Sequence, residues 1–275
     1  MSRRLTTWCV SLALAAGGAS ALWWRLSPPQ AEDPSPAELP IPPFPPRIAE
    51  GTEYETCLDT LASDPTGAVT MAETWQADGG GDGAMHCRGL ALIASGNPAS
   101  GAALLEQLAQ HATLPPLGRA AVLSQAGQAR LMVSQADKAQ ADATEALALS
   151  PADTELFIMR ATADDMLGRF QDGIDSVSEA LRLDARRPDA LVLRAEMHRK
   201  LNQLDLAQSD VTRALVLDPD DPDGLLERGI IRQRMGDTAG ARADWEHARG
   251  IDPDSTTADL AQQNLSLLEA GPERQ

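Results

Sequence analysis

The chain has 275 residues, and 23 basic against 40 acidic side chains give it a formal net charge of −17. Aromatic residues make up only 3%, which excludes an aromatic-rich β-sandwich core, whereas alanine and glycine together supply about a quarter, a composition typical of closely packed helices. The acidity argues against a nucleic-acid partner, because such a partner requires a basic surface that displaces counterions.

Residues 1–27 have the composition of a targeting segment. Arg3 and Arg4 precede an uncharged stretch, residues 8–24, which ends in two tryptophans. As a helix this stretch spans roughly 25 Å, slightly less than the ~30 Å hydrocarbon core of a membrane. It is interpreted as a signal peptide cleaved near residues 19–21, as an uncleaved membrane anchor, or as a buried N-terminal helix. The basic start favours export of the rest of the chain, to the periplasmic side, either anchored in the inner membrane or released after cleavage.

Residues 28–50 form a proline-rich linker. Nine of the 19 prolines lie between Pro28 and Pro46. Proline at this density blocks helix formation and favours extended polyproline II, so a semi-rigid spacer is predicted. A PxxP ligand for another protein domain is the alternative interpretation.

The segment 51–119 is predicted to contain short helices separated by glycine and proline turns. Their approximate ranges are 53–62, 67–78, 84–95 and 98–111. This segment is interpreted as one or two degenerate copies of the repeat described below, capping the front of the array. A small independent domain is the alternative.

Two cysteines, Cys57 and Cys87, lie outside the N-terminal segment. In an exported chain such a pair predicts a disulfide, here one that joins the first predicted helix to the third. The alternative is two small buried residues without a bond. A metal site is not expected, because His86 beside Cys87 does not supply a tetrahedral ligand set. No cofactor is predicted.

Residues 120–255 repeat with a period of 34. Four rows of 34 residues follow without a gap: 120–153, 154–187, 188–221 and 222–255. The eighth, twentieth and twenty-seventh positions of every row are glycine or alanine. The residues are Gly127, Ala161, Ala195 and Gly229, then Ala139, Gly173, Ala207 and Ala241, then Ala146, Ala180, Ala214 and Ala248. A period of this length indicates stacked structural repeats.

The pattern within a row predicts two helices. Small residues at three fixed positions let helix backbones approach closely, and turn signals such as Leu167-Gly168 lie in the middle of the row. Gly173 stands where the other rows have alanine, and looser packing is expected in rows 120–153 and 154–187. An all-α fold is therefore predicted, and residues 256–270 are expected to form a capping helix that covers the last repeat.

This pattern resembles the tetratricopeptide-repeat (TPR) family. The resemblance covers 120–255 and is strongest in the last two rows, which contain Arg194-Ala195, Leu217-Asp-Pro219, Gly236-Asp237, Trp245 and Ile251-Asp-Pro253. It implies a right-handed α-solenoid of helix-turn-helix repeats, preceded here by the apolar N-terminal targeting helix.

Arginine and aspartate recur in phase within the rows. The seventh position holds Arg194 and Arg228 where the twenty-third holds Asp210 and Asp244. Ion pairs between the two helices of one row are predicted from this spacing. A basic track for a ligand is the alternative interpretation of the arginines.

The resemblance also implies a groove lined by the first helix of each repeat, in which a peptide or helix of another protein binds. The positions that face the groove in the family are the second, fifth, ninth, twelfth and thirteenth. Candidates taken from the last three are Gln128, Met132, Thr162, Asp165, Glu196, Arg199, Lys200, Ile230, Gln233 and Arg234. The lysine and asparagine of the carboxylate-clamp subtype are absent, so a receptor for chaperone tails is not expected.

No catalytic motif is present, and the four scattered histidines are expected at the surface of the helical array. The acidic run 218–224 does not fit a calcium loop, because proline and isoleucine fall at its first and last ligand positions. The predicted function is a non-catalytic adaptor in the bacterial envelope, serving assembly, secretion or biogenesis. A self-associating structural array and the docking part of an envelope enzyme are the alternatives. Membrane contact is expected only through residues 1–27, and the oligomeric state is left open.

Overall fold

The computed structural model describes residues 48–111 and 113–270, and within these ranges every regular element is an α-helix. The predicted targeting segment, residues 28–47 of the linker and residues 271–275 lie outside them. In chain order the helices α1 to α13 have the bounds Thr52–Ser63, Pro65–Ala77, Gly81–Ala94, Pro98–Ala109, Pro116–Met132, Ala136–Leu149, Thr154–Met166, Phe170–Leu183, Pro188–Lys200, Leu204–Leu217, Pro222–Arg234, Thr238–Ile251 and Thr256–Ala270. Helices α1–α4 precede the rows, α5–α12 lie in the rows and α13 follows them.

Consecutive helices pack against each other from α1 to α13, and each first helix of a row also contacts the first helix of the next. Each row is one helical pair, which makes the described part of the chain an all-α solenoid. None of its helices is both long enough and apolar enough to cross a membrane. The front segment is continuous with the rows, because Met85, Leu105, Val122 and Met159 belong to one core cluster.

The turn inside each row depends on one residue with positive φ. Ser134, Gly168, Asn202 and Gly236 occupy the fifteenth position of the four rows, with φ between 57° and 90°. This left-handed conformation ends the first helix and is accessible to glycine without steric cost. The four rows therefore share this backbone conformation, although the residue is serine in the first row and asparagine in the third.

The small positions are filled by large side chains from neighbouring helices. A Cβ at Gly173 would lie 2.4 Å from Sδ of Met197, a fully buried residue, and a Cβ at Gly127 would lie 2.7 Å from Sδ of Met159. The looser packing expected of rows 120–153 and 154–187 is therefore not found at Gly173, because Met197 occupies the space that a side chain at this position would fill.

His86 is fully buried, and the expectation of surface histidines is wrong for this residue. Its Nδ1 lies 2.7 Å from the Tyr54 hydroxyl, and its Nε2 lies 2.8 Å from Oε1 of Gln125. Burial lowers the pKa of His86 to about 4, so the imidazole is neutral. Its Nδ1 accepts a hydrogen bond from the Tyr54 hydroxyl, and its Nε2–H donates one to Oε1 of Gln125. The histidine thereby ties α1 and α3 to α5.

The two cysteines join α1 to α3 through a disulfide, with Cα atoms 6.3 Å apart and both residues fully buried. A cross-link restricts the unfolded chain, and for a loop of this size the stabilisation is ~3 kcal/mol. We expect Cys57→Ser with Cys87→Ser to lower the free energy of unfolding by that amount in urea titrations of the oxidised protein. The parent protein titrated in the presence of a reductant is the control and should lose the same stability. Equal stability of the double variant and the oxidised parent would show that the pair acts as two buried thiols.

Buried carboxylates recur at the twenty-third position of the rows. Asp210 and Asp244 lie opposite arginines, whereas the first row has Ala126 at the arginine position and leaves Asp142 without such a partner. Asp142 is 7% exposed, and in the part of the chain that the structure describes its Oδ2 has no hydrogen-bond partner.

Asp142→Asn is expected to stabilise the protein by ~2 kcal/mol at pH 8. Burial, together with the charge of Glu106, raises the pKa of Asp142 to about 7 against the opposing effect of Arg130. Because the folded pKa lies above the unfolded value of 3.8, the associated stability is complete below that value and is lost as the pH rises through about 7. The difference between variant and parent should therefore shrink when urea titrations are repeated at pH 5.

Asp210→Asn serves as the control for this prediction, because Asp210 is ion-paired and its substitution should destabilise the protein at both pH values. If the parent protein is as stable as Asp142→Asn at pH 8, the ionised side chain of Asp142 does not destabilise the folded state.

Candidate functional site

A cleft of about 520 Å³ lies at the C-terminal end of the array. Helix α9 forms one wall, α11 forms the opposite wall, and the loop from α10 to α11 and α13 complete it. Its lining residues are Pro188, Asp189, Val192, Leu193, Glu196, Arg199, Asp218, Asp221, Asp223, Leu226, Glu227, Ile230 and Leu260. The cleft thus combines first helices of two adjacent rows with a residue of the capping helix.

The apolar side chains of the cleft extend from the hydrophobic core. Leu226 and Ile230 are partly buried and pack against the core cluster that contains Trp245, while Val192 packs against the neighbouring cluster. Leu260, on α13, is 44% exposed. Because core packing holds these side chains in place, the apolar surface of the cleft is preformed.

The charged side chains of the cleft are six carboxylates and a single guanidinium. Arg199 is engaged within the protein: its Nε lies 2.5 Å from Oε1 of Glu227, which is buried, and its Nη2 lies 3.9 Å from Oε1 of Glu196. Asp189 pairs with Arg187 at 2.7 Å. The positive charge of this arginine is therefore already compensated by two carboxylates of the cleft.

The other three carboxylates accept hydrogen bonds from uncharged donors. Asp218 accepts from the backbone N–H of Asp220, Asp221 from the N–H of Asp223, and Asp223 from the hydroxyl of Thr257. Within the described ranges none of the three forms an ion pair. Negative charge on this side of the cleft is therefore not neutralised by the protein itself.

Two carboxyl groups of the cleft have raised pKa values. Burial raises the pKa of Glu227 even though Arg199 opposes the shift. Burial also raises the pKa of Asp221, and the negative charges of Asp223 and Asp218 add to this effect. A cation placed in the cleft would favour the ionised form of both groups.

The structure brings three of the candidate groove residues, Glu196, Arg199 and Ile230, into the cleft. Two others form a link between rows, because Nζ of Lys200 lies 2.7 Å from Oδ2 of Asp165.

Arg234 also serves as a link between rows, since it donates to the backbone oxygen of Arg199 and to Asn202 Oδ1. The remaining candidates, Gln128, Met132, Thr162 and Gln233, do not line the cleft.

Sequence reasoning missed most of the cleft. Asp189, Asp223, Val192 and Leu226 occupy the second and fifth positions of their rows, so the full set of groove positions would have found them. Leu260 lies outside the rows, and no repeat position could have indicated it.

The two arginine–aspartate pairs are present as the spacing predicts. Nε and Nη2 of Arg194 each lie 2.7 Å from an oxygen of Asp210. Arg228 makes the corresponding two bonds to Asp244, at 2.9 and 2.7 Å. Both aspartates are buried, so these arginines connect the helices of one row and do not form a free basic track.

No group of three or more His, Cys, Asp or Glu side chains in residues 48–111 and 113–270 is arranged to hold a metal ion.

Comparisons with known proteins agree with this fold. A family model described as a tetratricopeptide repeat matches residues 196–266. Among solved structures, MamA from Desulfovibrio magneticus RS-1 is 17% identical with a TM-score of 0.55, over 63% of this chain and 99% of that one. TTC0263, a thermophilic TPR protein in Thermus thermophilus, is 18% identical with a TM-score of 0.54, over 67% and 97%. No curated protein matches the chain.

Proposed function

We propose that this tetratricopeptide-repeat protein is a non-catalytic scaffold that binds a peptide or helix of another protein in the cleft between α9, α11 and α13. The observation that carries this proposal is the preformed apolar surface of Val192, Leu226, Ile230 and Leu260, open to solvent inside a concave site. Transfer of such surface out of water favours association by roughly 25 cal/mol per Å². A cleft with a few fixed polar groups around an apolar floor is a common form of binding site.

The location that we propose is the bacterial envelope, with residues 48–270 on the periplasmic side. Support comes from the basic and apolar sequence of residues 1–27 and from the disulfide pair Cys57–Cys87, since disulfides persist in oxidising compartments. The role that follows is that of an adaptor which holds a partner during envelope assembly, secretion or biogenesis.

Self-association is the second candidate, and one observation favours it. Leu206 and Val216, both on α10, are 52% and 76% exposed, which is a large exposure for aliphatic side chains. They lie outside the cleft, so a contact between two copies through α10 would not compete with a ligand in the cleft.

Photo-crosslinking from two positions of the full-length chain tests these candidates. One variant carries p-benzoylphenylalanine in place of Leu260, in the cleft, and the other carries it in place of Val216. We expect Leu260→p-benzoylphenylalanine to give one enriched adduct with another protein, and Leu226→Asp in the same chain to abolish it. If the cleft position gives no adduct with another protein while Val216 gives adducts between two copies, self-association replaces the scaffold proposal.

A further inference from the structure

We infer that the ligand of the cleft is a basic amphipathic segment of a partner protein, with lysine or arginine on one face and aliphatic residues on the other. This inference rests on the proposed function and specifies its partner. Three features of the cleft support it. Three carboxylates have no cationic partner among the described residues, apolar side chains line the same cleft, and the nearby basic side chains are already paired with carboxylates.

One rim of the cleft carries negative charge that is complementary to a cationic ligand. Asp218, Asp221 and Asp223 lie in a stretch of six residues at the start of α11 and accept only uncharged hydrogen bonds. The cleft brings this rim together with Asp189 and Glu196 of the opposite wall. Cationic side chains of a ligand would reduce the repulsion among these groups and gain charge-assisted hydrogen bonds.

The cleft also has an apolar surface. Val192 on α9 and Leu226 and Ile230 on α11 line the same cleft as the three aspartates of the rim and Glu196. A ligand that is only cationic would leave this surface exposed to water, and one that is only apolar would leave the carboxylates desolvated and unpaired. A segment with both faces satisfies both requirements.

Acidic ligands and free carboxyl termini do not match the charge of the cleft. The guanidinium of Arg199 is bonded to buried Glu227, and Lys200, beyond the cleft, is paired with Asp165 and Glu196. An acidic segment would therefore meet six carboxylates, and the single guanidinium of the cleft is already paired with two of them. A second copy of this chain is disfavoured for the same reason, since each copy carries a net charge of −17.

The test uses the full-length chain with Leu260→p-benzoylphenylalanine and three biotinylated peptides of about 14 residues, or about four helical turns. The first peptide has leucine on one helical face and lysine on the other. The second has glutamate in place of lysine, and the third has serine in place of leucine. The adduct yield is measured on blots at low and at physiological salt, and Val216→p-benzoylphenylalanine gives the background. A peptide is crosslinked only when it lies within reach of the photoreactive side chain at position 260, so peptide bound elsewhere does not contribute to the yield.

We expect the lysine–leucine peptide to give a yield at least about tenfold above that of either other peptide, and less of it at higher salt, because screening weakens exposed charge pairs. In the triple variant Asp218→Asn, Asp221→Asn, Asp223→Asn the yield should fall about tenfold. Asparagine retains the N-cap that Asp221 provides for α11, so helicity measured by circular dichroism should not change.

The matched control is a triple variant with the same change in net charge. Asp137, Asp172 and Asp205 are exposed residues in the first turns of α6, α8 and α10, outside the cleft. Their replacement by asparagine should alter the yield less than about twofold at physiological salt, because none of the three lines the cleft and exposed charges outside it are screened.

The outcomes separate the two proposals. If the glutamate–leucine peptide reacts as well as the lysine–leucine peptide, or if the cleft triple variant behaves like its control, the basic ligand is wrong while peptide binding in the cleft stands. If none of the peptides reacts above the Val216 background, and Leu260→p-benzoylphenylalanine in the full-length chain gives no adduct with another protein, both proposals fail.

Discussion

Gly229→Ala should destabilise the protein by ~3 kcal/mol, although alanine is the better helix former by about 1 kcal/mol. Gly229 lies inside α11, and a Cβ at this position would be 2.2 Å from Nε1 and 2.6 Å from Cδ1 of Trp245. The indole is fully buried, and its Nε1 donates to the backbone oxygen of Leu226 at 3.2 Å. A rigid ring that packs on all sides and forms this bond has no free space into which it can move. Urea unfolding followed by circular dichroism measures the loss.

Two further variants show whether the indole causes this effect. Gly250→Ala lies near the end of α12 with open space around its Cβ position, and it should leave stability unchanged or slightly improved. Trp245→Leu is expected to cost several kcal/mol by itself, but the addition of Gly229→Ala to it should cost little more, because the clashing ring is gone. Additive losses in the double variant would refute the proposed contact.

Arg194→Ala is expected to cost ~3 kcal/mol, because it leaves the buried carboxylate of Asp210 without its bidentate partner. The nearest remaining cations are Nη1 of Arg213 at 3.8 Å and, when protonated, Nε2 of His198 at 4.0 Å. Neither replaces two short hydrogen bonds. The free energy of unfolding from urea titrations at pH 7 is the appropriate measurement.

Arg182→Ala is the matched control, because Arg182 pairs with Glu179 at the surface and both side chains are largely exposed. That substitution should change stability by less than ~0.5 kcal/mol. The double variant Arg194→Ala with Asp210→Ala should be more stable than Arg194→Ala alone, since no buried charge is left unpaired. If the single variant is as stable as the surface control, the pair contributes nothing to the fold.

The helices and their pairing could be predicted from the sequence because the 34-residue period encodes them locally. Small residues must stand where two backbones approach, and an arginine and an aspartate 16 residues apart meet when the two helices of a row lie side by side. Such relations recur at fixed spacing, so they are visible without coordinates.

The environment of His86 and the rim of the cleft could not be predicted in the same way. The partners of His86 are Tyr54 and Gln125, which are 32 and 39 residues away and outside any repeated spacing. The cleft depends on Leu260, which follows the last row, and on the closeness of an inter-row loop to the preceding first helix. These contacts depend on how the array ends rather than on how it repeats.

The closing helix α13 contacts α11 as well as α12, in the manner of the first helix of a further row. The cleft therefore requires α13 to follow the last row directly. Insertion of one more 34-residue unit before Thr256 would preserve every internal contact of the existing rows and still separate Leu260 from Ile230. Duplication of a repeat within such an array would thus lengthen the protein and remove Leu260 from the cleft in a single step.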